Sequence, residues 1–293
     1  SQWKADHAAS VAAAGGREDL IVAGSSVTDA ALDPTMILAA GDLDGTGYSY
    51  AQEGSPAVTT ARFLRAAVLD PVRPETVVIG LDPGDIGAVP GRIEALDRAM
   101  RASRGYRLAA GTPTLADRIA DAAARRSALV AHRQLLRDPY RLWLERGEEG
   151  PPAFLDPTSG ALLRHRDEAY VPPPADYGRG RTSPPGELDR QIGALDDLIA
   201  DLHERGVRVV VVELPQFRRA YEPLVGAAAL ARSHDAVTAL TDRRCADHLD
   251  LRDEAQDQRF WADTSHVNGA GTALLSAALG EWLAEHPTAR TGC

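Results

Sequence analysis

Cysteine is nearly absent: Cys245 and Cys293 are the only two in 293 residues. That excludes a disulfide framework, and the pair lacks the CxxC spacing of zinc or redox sites. One bridge tying the C-terminus to the body is the most they can make. Aromatic residues are scarce at 5% while 44% of the chain is hydrophobic, so the core must be built from aliphatic side chains. Net positive charge is lacking too. At -10, with a pI near 5.3, the chain offers no basic domain for neutralising nucleic-acid phosphates or for docking on an anionic membrane. No run of about 20 apolar residues is present, so no segment reads as a membrane-spanning helix. The first residue is Ser1 rather than methionine, which fits a mature or trimmed chain and leaves a removed signal peptide or N-terminal anchor open.

Short, continuous apolar runs alternate with amphipathic stretches. Asp19 to Ala23 predicts a buried strand, followed by Gly24-Ser25-Ser26 and the breaker Asp33-Pro34. From Ser55 or Pro56, residues Val58, Ala61, Leu64 and Val68 recur at helical spacing until Pro71 and Pro74. Glu75 to Leu81 predicts a second strand. Glu187 to Arg205 predicts a helix, with Leu188, Ile192, Leu195, Ile199 and Leu202 on one face. Gly206 stops it, Val207 to Leu214 follows as a third strand, and Gly269 to Glu285 predicts a closing helix. Helix followed by continuous apolar strand, repeated, is the pattern of parallel strands joined by crossover helices. The expected fold is therefore α/β, with residues 15-286 forming a single domain. Within it, 104-186 reads as an insertion, helical and arginine-rich over Thr112 to Arg146, then Pro/Gly-rich and lid-like.

Two segments at opposite ends carry the chemistry: Gly24-Ser25-Ser26 after the first strand and Asp263-Thr264-Ser265-His266 before the last helix. A serine hydroxyl is a weak nucleophile until a hydrogen-bonded imidazole takes its proton and a carboxylate orients that imidazole. Alone, Gly-Ser-Ser is also a common helix cap, His266 a common surface residue and Asp263 an ordinary helix-start charge. The combination, with the serine at the carboxyl end of a strand where α/β proteins gather ligands, points to cleavage or transfer of acyl groups. Ser26 is the expected nucleophile, with Ser25 as its competitor. No metal or organic cofactor is required by this chemistry.

These blocks resemble the SGNH hydrolases, or GDSL-type esterases: Gly24-Ser25-Ser26, Gly54, Gly80-Leu81-Asp82, and Asp263-Thr264-Ser265-His266 followed by Val-Asn-Gly-Ala-Gly. The resemblance implies a three-layer α/β/α fold with a flavodoxin-like parallel sheet. It also implies Ser26 as nucleophile, His266 as base and Asp263 as its partner, with the N–H groups of Ser26 and Gly54 in the oxyanion hole. Where the family carries an asparagine as third donor this chain has Asp82, and an ionised carboxylate there would repel the oxyanion. Gly-Ser-Ser in place of Gly-Asp-Ser, together with the insertion, is similar to a subgroup that works outside the membrane, adding or removing O-acyl groups on exported or cell-envelope glycans. That implies an acylated carbohydrate or other small ester as substrate, a membrane-bound acyltransferase as partner, and an extracytoplasmic site (secreted, periplasmic or anchored).

Other readings compete. The Asp82 replacement also fits a catalytically degenerate glycan-binding or scaffold protein on the same fold. Asp42-Leu43-Asp44-Gly45-Thr46-Gly47 with Glu53 at the twelfth place matches most of an EF-hand loop, although Thr46 supplies no carboxylate and the flanks do not read as two long helices. Arg118 to Arg146 interleaves with Asp and Glu as an ion-paired face. Arg179 and Arg181 could meet an anionic glycan. His132, His165, His203 and His248 show no metal-ligand spacing.

Overall fold

The computed structural model describes residues 2–87 and 186–288, with 112–124, 166–172 and isolated positions between them. Most of the predicted insertion, including Arg179, Arg181, His132 and His165, lies outside the described residues, as does Cys293.

In chain order the elements are α1 (Gln2–Ala13), β1 (Leu20–Ala23), α2 (Ser26–Ala31), α3 (Pro34–Ala40), β2 (Gly47–Ser49) and α4 (Ala57–Phe63). A π-turn at Leu64–Val68 leads from α4 into α5 (Leu69–Val72), and β3 (Thr76–Leu81) and α6 (Pro83–Ile86) follow. Then come α7 (Leu115–Ala124), α8 (Glu187–Glu204), β4 (Arg208–Glu213), α9 (Arg218–Val225), α10 (Ala227–Arg244), β5 (Asp247–Asp250) and α11 (Gly269–Glu285). The strands form one five-stranded sheet in the order β2-β1-β3-β4-β5, every pair parallel. With helices on both faces this is the three-layer α/β/α, flavodoxin-like arrangement that the family resemblance implies, and its parallel strands are those that the alternating pattern predicts.

The layers follow from strand alternation, since successive side chains point to opposite faces. Ile21, Ala23, Val77, Ile79, Val209 and Val211 enter one core with α1, α4, α8 and α10. Their neighbours Leu20, Val22, Val78, Val210 and Val212 enter the other, with Leu32, Ile37 and the α11 residues Leu275, Leu279 and Leu283. Both faces of these strands are buried, which explains why each reads as an unbroken apolar run.

The stretch Asp42 to Glu53 is built into the edge of the sheet. Its centre is β2, paired with β1, where Tyr48 and Tyr50 are fully buried, and Glu53 is exposed. Helix α1, which the sequence pattern did not predict, covers this edge. Ala5 and Ala8 enter the core, His7 stacks on Tyr48 with ring centroids 3.6 Å apart, and Lys4 pairs with Asp29 in α2. Cys245 is disulfide-bonded.

Candidate active site

The ends of β1 and β3 and the loop before α11 meet at one place. Gly24 ends β1 against its neighbour: a Cβ there would overlap the Thr28 hydroxyl and lie 2.6 Å from the Gly80 carbonyl oxygen. Only glycine fits, and the close approach lets the Thr28 hydroxyl donate to that carbonyl at 3.0 Å. The chain then turns straight into α2. Ser25 is buried and is the N-cap, its hydroxyl accepting the Val27 N–H at 3.2 Å. Ser26 is the first helical residue, where a backbone N–H has no partner within its own helix. The two serines therefore part company, one capping the helix and the other presenting its hydroxyl at the surface.

Ser26 Oγ lies 3.0 Å from His266 Nε2, and His266 Nδ1 lies 2.9 Å from Asp263 Oδ2. An ionised carboxylate can only accept, so Nδ1 carries the proton and the Nε2 lone pair faces the Ser26 hydroxyl. The other Asp263 oxygen accepts the backbone N–H groups of Ser265 at 2.7 Å and His266 at 2.8 Å. Burial pushes the Asp263 carboxyl up, but the His266 imidazole and these two amides outweigh it and hold it at about 2. The loop itself is braced by an antiparallel bridge between Trp261 and Val267, by the Trp261 indole donating to Ala255 O at 2.5 Å, and by Asn268. Asn268 caps α11 through Ala270 N and Gly271 N while its amide donates to Arg259 O at 2.8 Å.

Asp82 follows β3. It caps α6 in a reciprocal box: Oδ1 accepts from Gly84 N at 2.6 Å, and the Asp82 N–H donates to Asp85 Oδ2 at 3.0 Å. The Tyr221 hydroxyl of α9 donates to the same Oδ1 at 3.2 Å. Burial pushes the Asp82 carboxyl up, against the Gly84 amide, the Tyr221 hydroxyl and the charge of His266. Gly54 sits two residues beyond Gln52, whose backbone N–H donates to Gly24 O at 2.9 Å, so the second block lies alongside the first. Among the described residues, Gln52 Nε2 and Asp82 Oδ2 are buried polar atoms without a hydrogen-bond partner.

One part of the insertion returns to this place. Val171 N–H donates to Ala262 O at 2.8 Å, Arg166 pairs with the buried Asp33, and Tyr170 packs edge-on against Phe217, which stacks on Trp261. Burial and then the Asp263 charge push the Tyr170 hydroxyl up, so its ring lies within the field of the loop carboxylate. No sequence motif pointed to Tyr170 or Tyr221.

A second polar cluster stands at the ends of β4 and β5. Glu213, His234 and Asp250 present ligand atoms within 4.8 Å of one another. Arg252 occupies that space, reaching Asp250 at 2.7 Å and His234 Nε2 at 3.2 Å. Because a guanidinium only donates, His234 Nε2 accepts and Nδ1–H donates to Glu213 Oε1 at 2.7 Å, which His248 also meets at 2.9 Å. A fixed cation already neutralises these carboxylates, and the group is a structural ion network.

No family model matches the chain, and no curated protein matches it. Three solved structures are similar in shape. A candidate acylhydrolase from Bacteroides fragilis NCTC 9343 has a TM-score of 0.46 at 9% identity, over 92% of this chain and 86% of the other. A carbohydrate esterase family 2 enzyme with a carbohydrate-binding domain, from Corynascus thermopiles (Myceliophthora fergusii), has a TM-score of 0.47 at 10% identity, over 91% and 65%. An acetyl xylan esterase from Butyrivibrio proteoclasticus has a TM-score of 0.39 at 10% identity, over 92% and 64%. The chain thus spans just under two thirds of the length of the last two, and what it does must be argued from its own residues.

Proposed function

We propose that this protein is a serine esterase or O-acyltransferase in which Ser26 is the nucleophile, His266 the general base and acid, and Asp263 the group that fixes the imidazole. The observation that carries the reading is the unbroken hydrogen-bonded relay from Ser26 Oγ through His266 to Asp263, at 3.0 and 2.9 Å. Ser26 Oγ attacks the ester carbonyl while its proton passes to Nε2, and the Asp263 carboxylate stabilises the imidazolium that forms. The tetrahedral intermediate collapses to an acyl-enzyme as the imidazolium protonates the departing alcohol. Water or a sugar hydroxyl then takes the acyl group by the reverse proton path. Backbone N–H groups of Ser26 and Gly54 are the donors this reading assigns to the oxyanion.

For the substrate we carry forward an O-acyl ester of a glycan or cell-envelope polymer, with a membrane-bound acyltransferase as donor partner and an extracytoplasmic site of action. This is what the resemblance of the Ser26 and Asp263–His266 blocks implies. Among the described residues no helix is long and apolar enough to cross a membrane.

The test is labelling with a fluorophosphonate probe and peptide mass spectrometry, alongside turnover of p-nitrophenyl acetate. Label on Ser26 in the wild type, absent from Ser26→Ala, with turnover reduced about a thousandfold or more, is the expected result. Folded wild type that takes no label would favour the degenerate, glycan-binding reading instead.

A further inference from the structure

Resting on the serine-esterase reading, we infer that Tyr170 selects the alcohol half of the ester, its ring taking the C–H face of a sugar and its hydroxyl pairing with one of the sugar's own hydroxyls. Position is the first support, for Tyr170 stands where two walls of the site meet. On one side it packs edge-on against Phe217, with ring centroids 5.3 Å apart, and Phe217 leads into α9, where Tyr221 reaches Asp82 beyond the end of β3. On the other side lies the loop that carries Asp263 and His266. Phe217 stacks on Trp261 of that loop, and Ala262 O accepts the N–H of Val171, the residue after Tyr170, while Ala262 N–H donates to His266 O at 2.9 Å. One residue, Ala262, thus ties the backbone beside Tyr170 to that of the general base.

The direction of proton transfer is the second support. When the ester C–O bond breaks, its electron pair leaves on the alcohol oxygen, which takes a proton from His266 Nε2. The alcohol must therefore lie within hydrogen-bond reach of the imidazole, on the loop side, whereas the acyl carbon is held by Ser26 Oγ at the head of α2. A side chain resting on the loop meets the alcohol before it meets the acyl chain.

The chemistry of the side chain is the third support. Tyr170 is half-buried, and among the described residues its hydroxyl has no hydrogen-bond partner. A buried tyrosine hydroxyl ordinarily finds one, as that of Tyr221 does on Asp82 and that of Tyr50 does on Glu18. Tyr170 keeps its donor for a group from outside. Burial and then the Asp263 charge push this hydroxyl up, so it holds its proton across the working range of a histidine base. A sugar matches both ends of such a residue, with C–H groups on a ring face and hydroxyls around its rim. A one-carbon alcohol matches neither.

The experiment holds the acetyl group fixed and changes the alcohol. Wild type, Tyr170→Phe and Tyr170→Ala are each given methyl acetate and the mono-O-acetylated methyl glycosides of glucose, mannose and xylose, with acid release followed at constant pH. Wild type should have a higher kcat/KM on at least one acetylated glycoside than on methyl acetate. Tyr170→Ala should cut that preference about tenfold, from the ring contact and one hydrogen bond together, and Tyr170→Phe about threefold, from the hydrogen bond alone. Because these contacts are made equally in the ground state and the transition state, the fall should appear in KM with kcat little changed. A merely structural role would behave differently: a displaced His266 lowers kcat on every substrate alike and slows labelling of Ser26 by the fluorophosphonate probe.

A preference that changes by less than about twofold in Tyr170→Ala, a loss confined to kcat or shared by methyl acetate, or a wild type that favours no glycoside would overturn the inference. So would an effect that follows the acyl chain when methyl butyrate replaces methyl acetate, since that would put Tyr170 on the acyl side. If Tyr170→Ala does not fold, Tyr170→Phe, which keeps the ring on Phe217, decides alone. Wild type without turnover or Ser26 labelling sinks the esterase reading and this inference together, whereas an active wild type whose preference survives in both variants sinks the inference alone.

Discussion

Lys4→Met is expected to destabilise the protein by about 3–4 kcal/mol at pH 7, the lower part of the range for stranding one charge of a buried pair. Lys4 and Asp29 are 3% and 4% exposed, and Nζ meets both carboxylate oxygens, at 2.8 and 2.9 Å. Among the described residues, the only side chain besides Lys4 that hydrogen-bonds Asp29 is Ser49, whose hydroxyl donates at 2.5 Å. Burial pushes Lys4 down and Asp29 up, each towards neutrality, and each partner opposes the other's shift. Without Lys4, the cheapest escape for Asp29 is to take up a proton. From an ordinary value of 3.8, neutralisation at pH 7 lies about three units uphill at about 1.36 kcal/mol per unit, which caps the penalty near about 4 kcal/mol. The penalty should therefore shrink by about 1.4 kcal/mol for each unit of acidification. Urea denaturation of Lys4→Met, Asp29→Asn and the double variant at pH 5, 6 and 7 measures this, with the double variant far less destabilised than the sum of the singles. A Lys4→Met penalty below about 1 kcal/mol, or one that does not change with pH, would refute the reasoning by showing that water reaches the pair. Activity should fall with stability, since Asp29 lies one turn beyond Ser26 in α2.

Gly24→Ala should cost both stability and turnover, because its Cβ lies 2.6 Å from a backbone oxygen that cannot move aside. A melting curve and p-nitrophenyl acetate kinetics check this, and wild-type values in both would mean that β1 and β3 sit further apart than described. Asp196 is held at about 2, chiefly by the Arg244 hydrogen bond and then by Arg243 against burial. Its depressed pKa contributes stability that is present above about 3.8 and lost as pH falls towards 2, so Asp196→Asn should lower Tm at pH 6 and lose that effect near pH 2.

The sheet was legible wherever its strands are buried on both faces. Thr76–Leu81 and Arg208–Glu213 read as apolar runs because each side chain meets a helix layer. The edges were not legible. Strand β5 is Asp-His-Leu-Asp and only partly buried, and its polar residues join the Glu213 network across the sheet, which no local pattern betrays. Strand β2 spans three residues, and α1 is alanine-rich with little amphipathic contrast, so neither carried a periodic signal. Within the site, Asp263 and His266 stand three residues apart and formed a readable motif. Tyr221 meets Asp82 across 139 residues of sequence, and only the fold joins them. The Asp82 replacement was visible in the sequence, but the uneven sharing of donors between its two oxygens was not.

The architecture separates what must stay fixed from what can vary. Ser26 and Asp82 emerge from neighbouring strands of the sheet, whose register is locked by parallel pairing, so their separation cannot drift without breaking β1 from β3. Asp263 and His266 come from a loop, which is a poor place for accurate geometry unless it is braced. Here the bracing is dense: the Trp261–Val267 bridge, the Asn268 cap and the two amides on Asp263 leave the imidazole few ways to turn. The returning segment 166–172 rests on that braced loop through Val171 and Tyr170, without contributing to the relay. A segment that touches the site but not its proton path can change shape without disturbing the chemistry. Under the proposed esterase reading, the sheet ends and the loop carry the bond-breaking step, and the segment 166–172 is placed to touch a substrate without joining the relay.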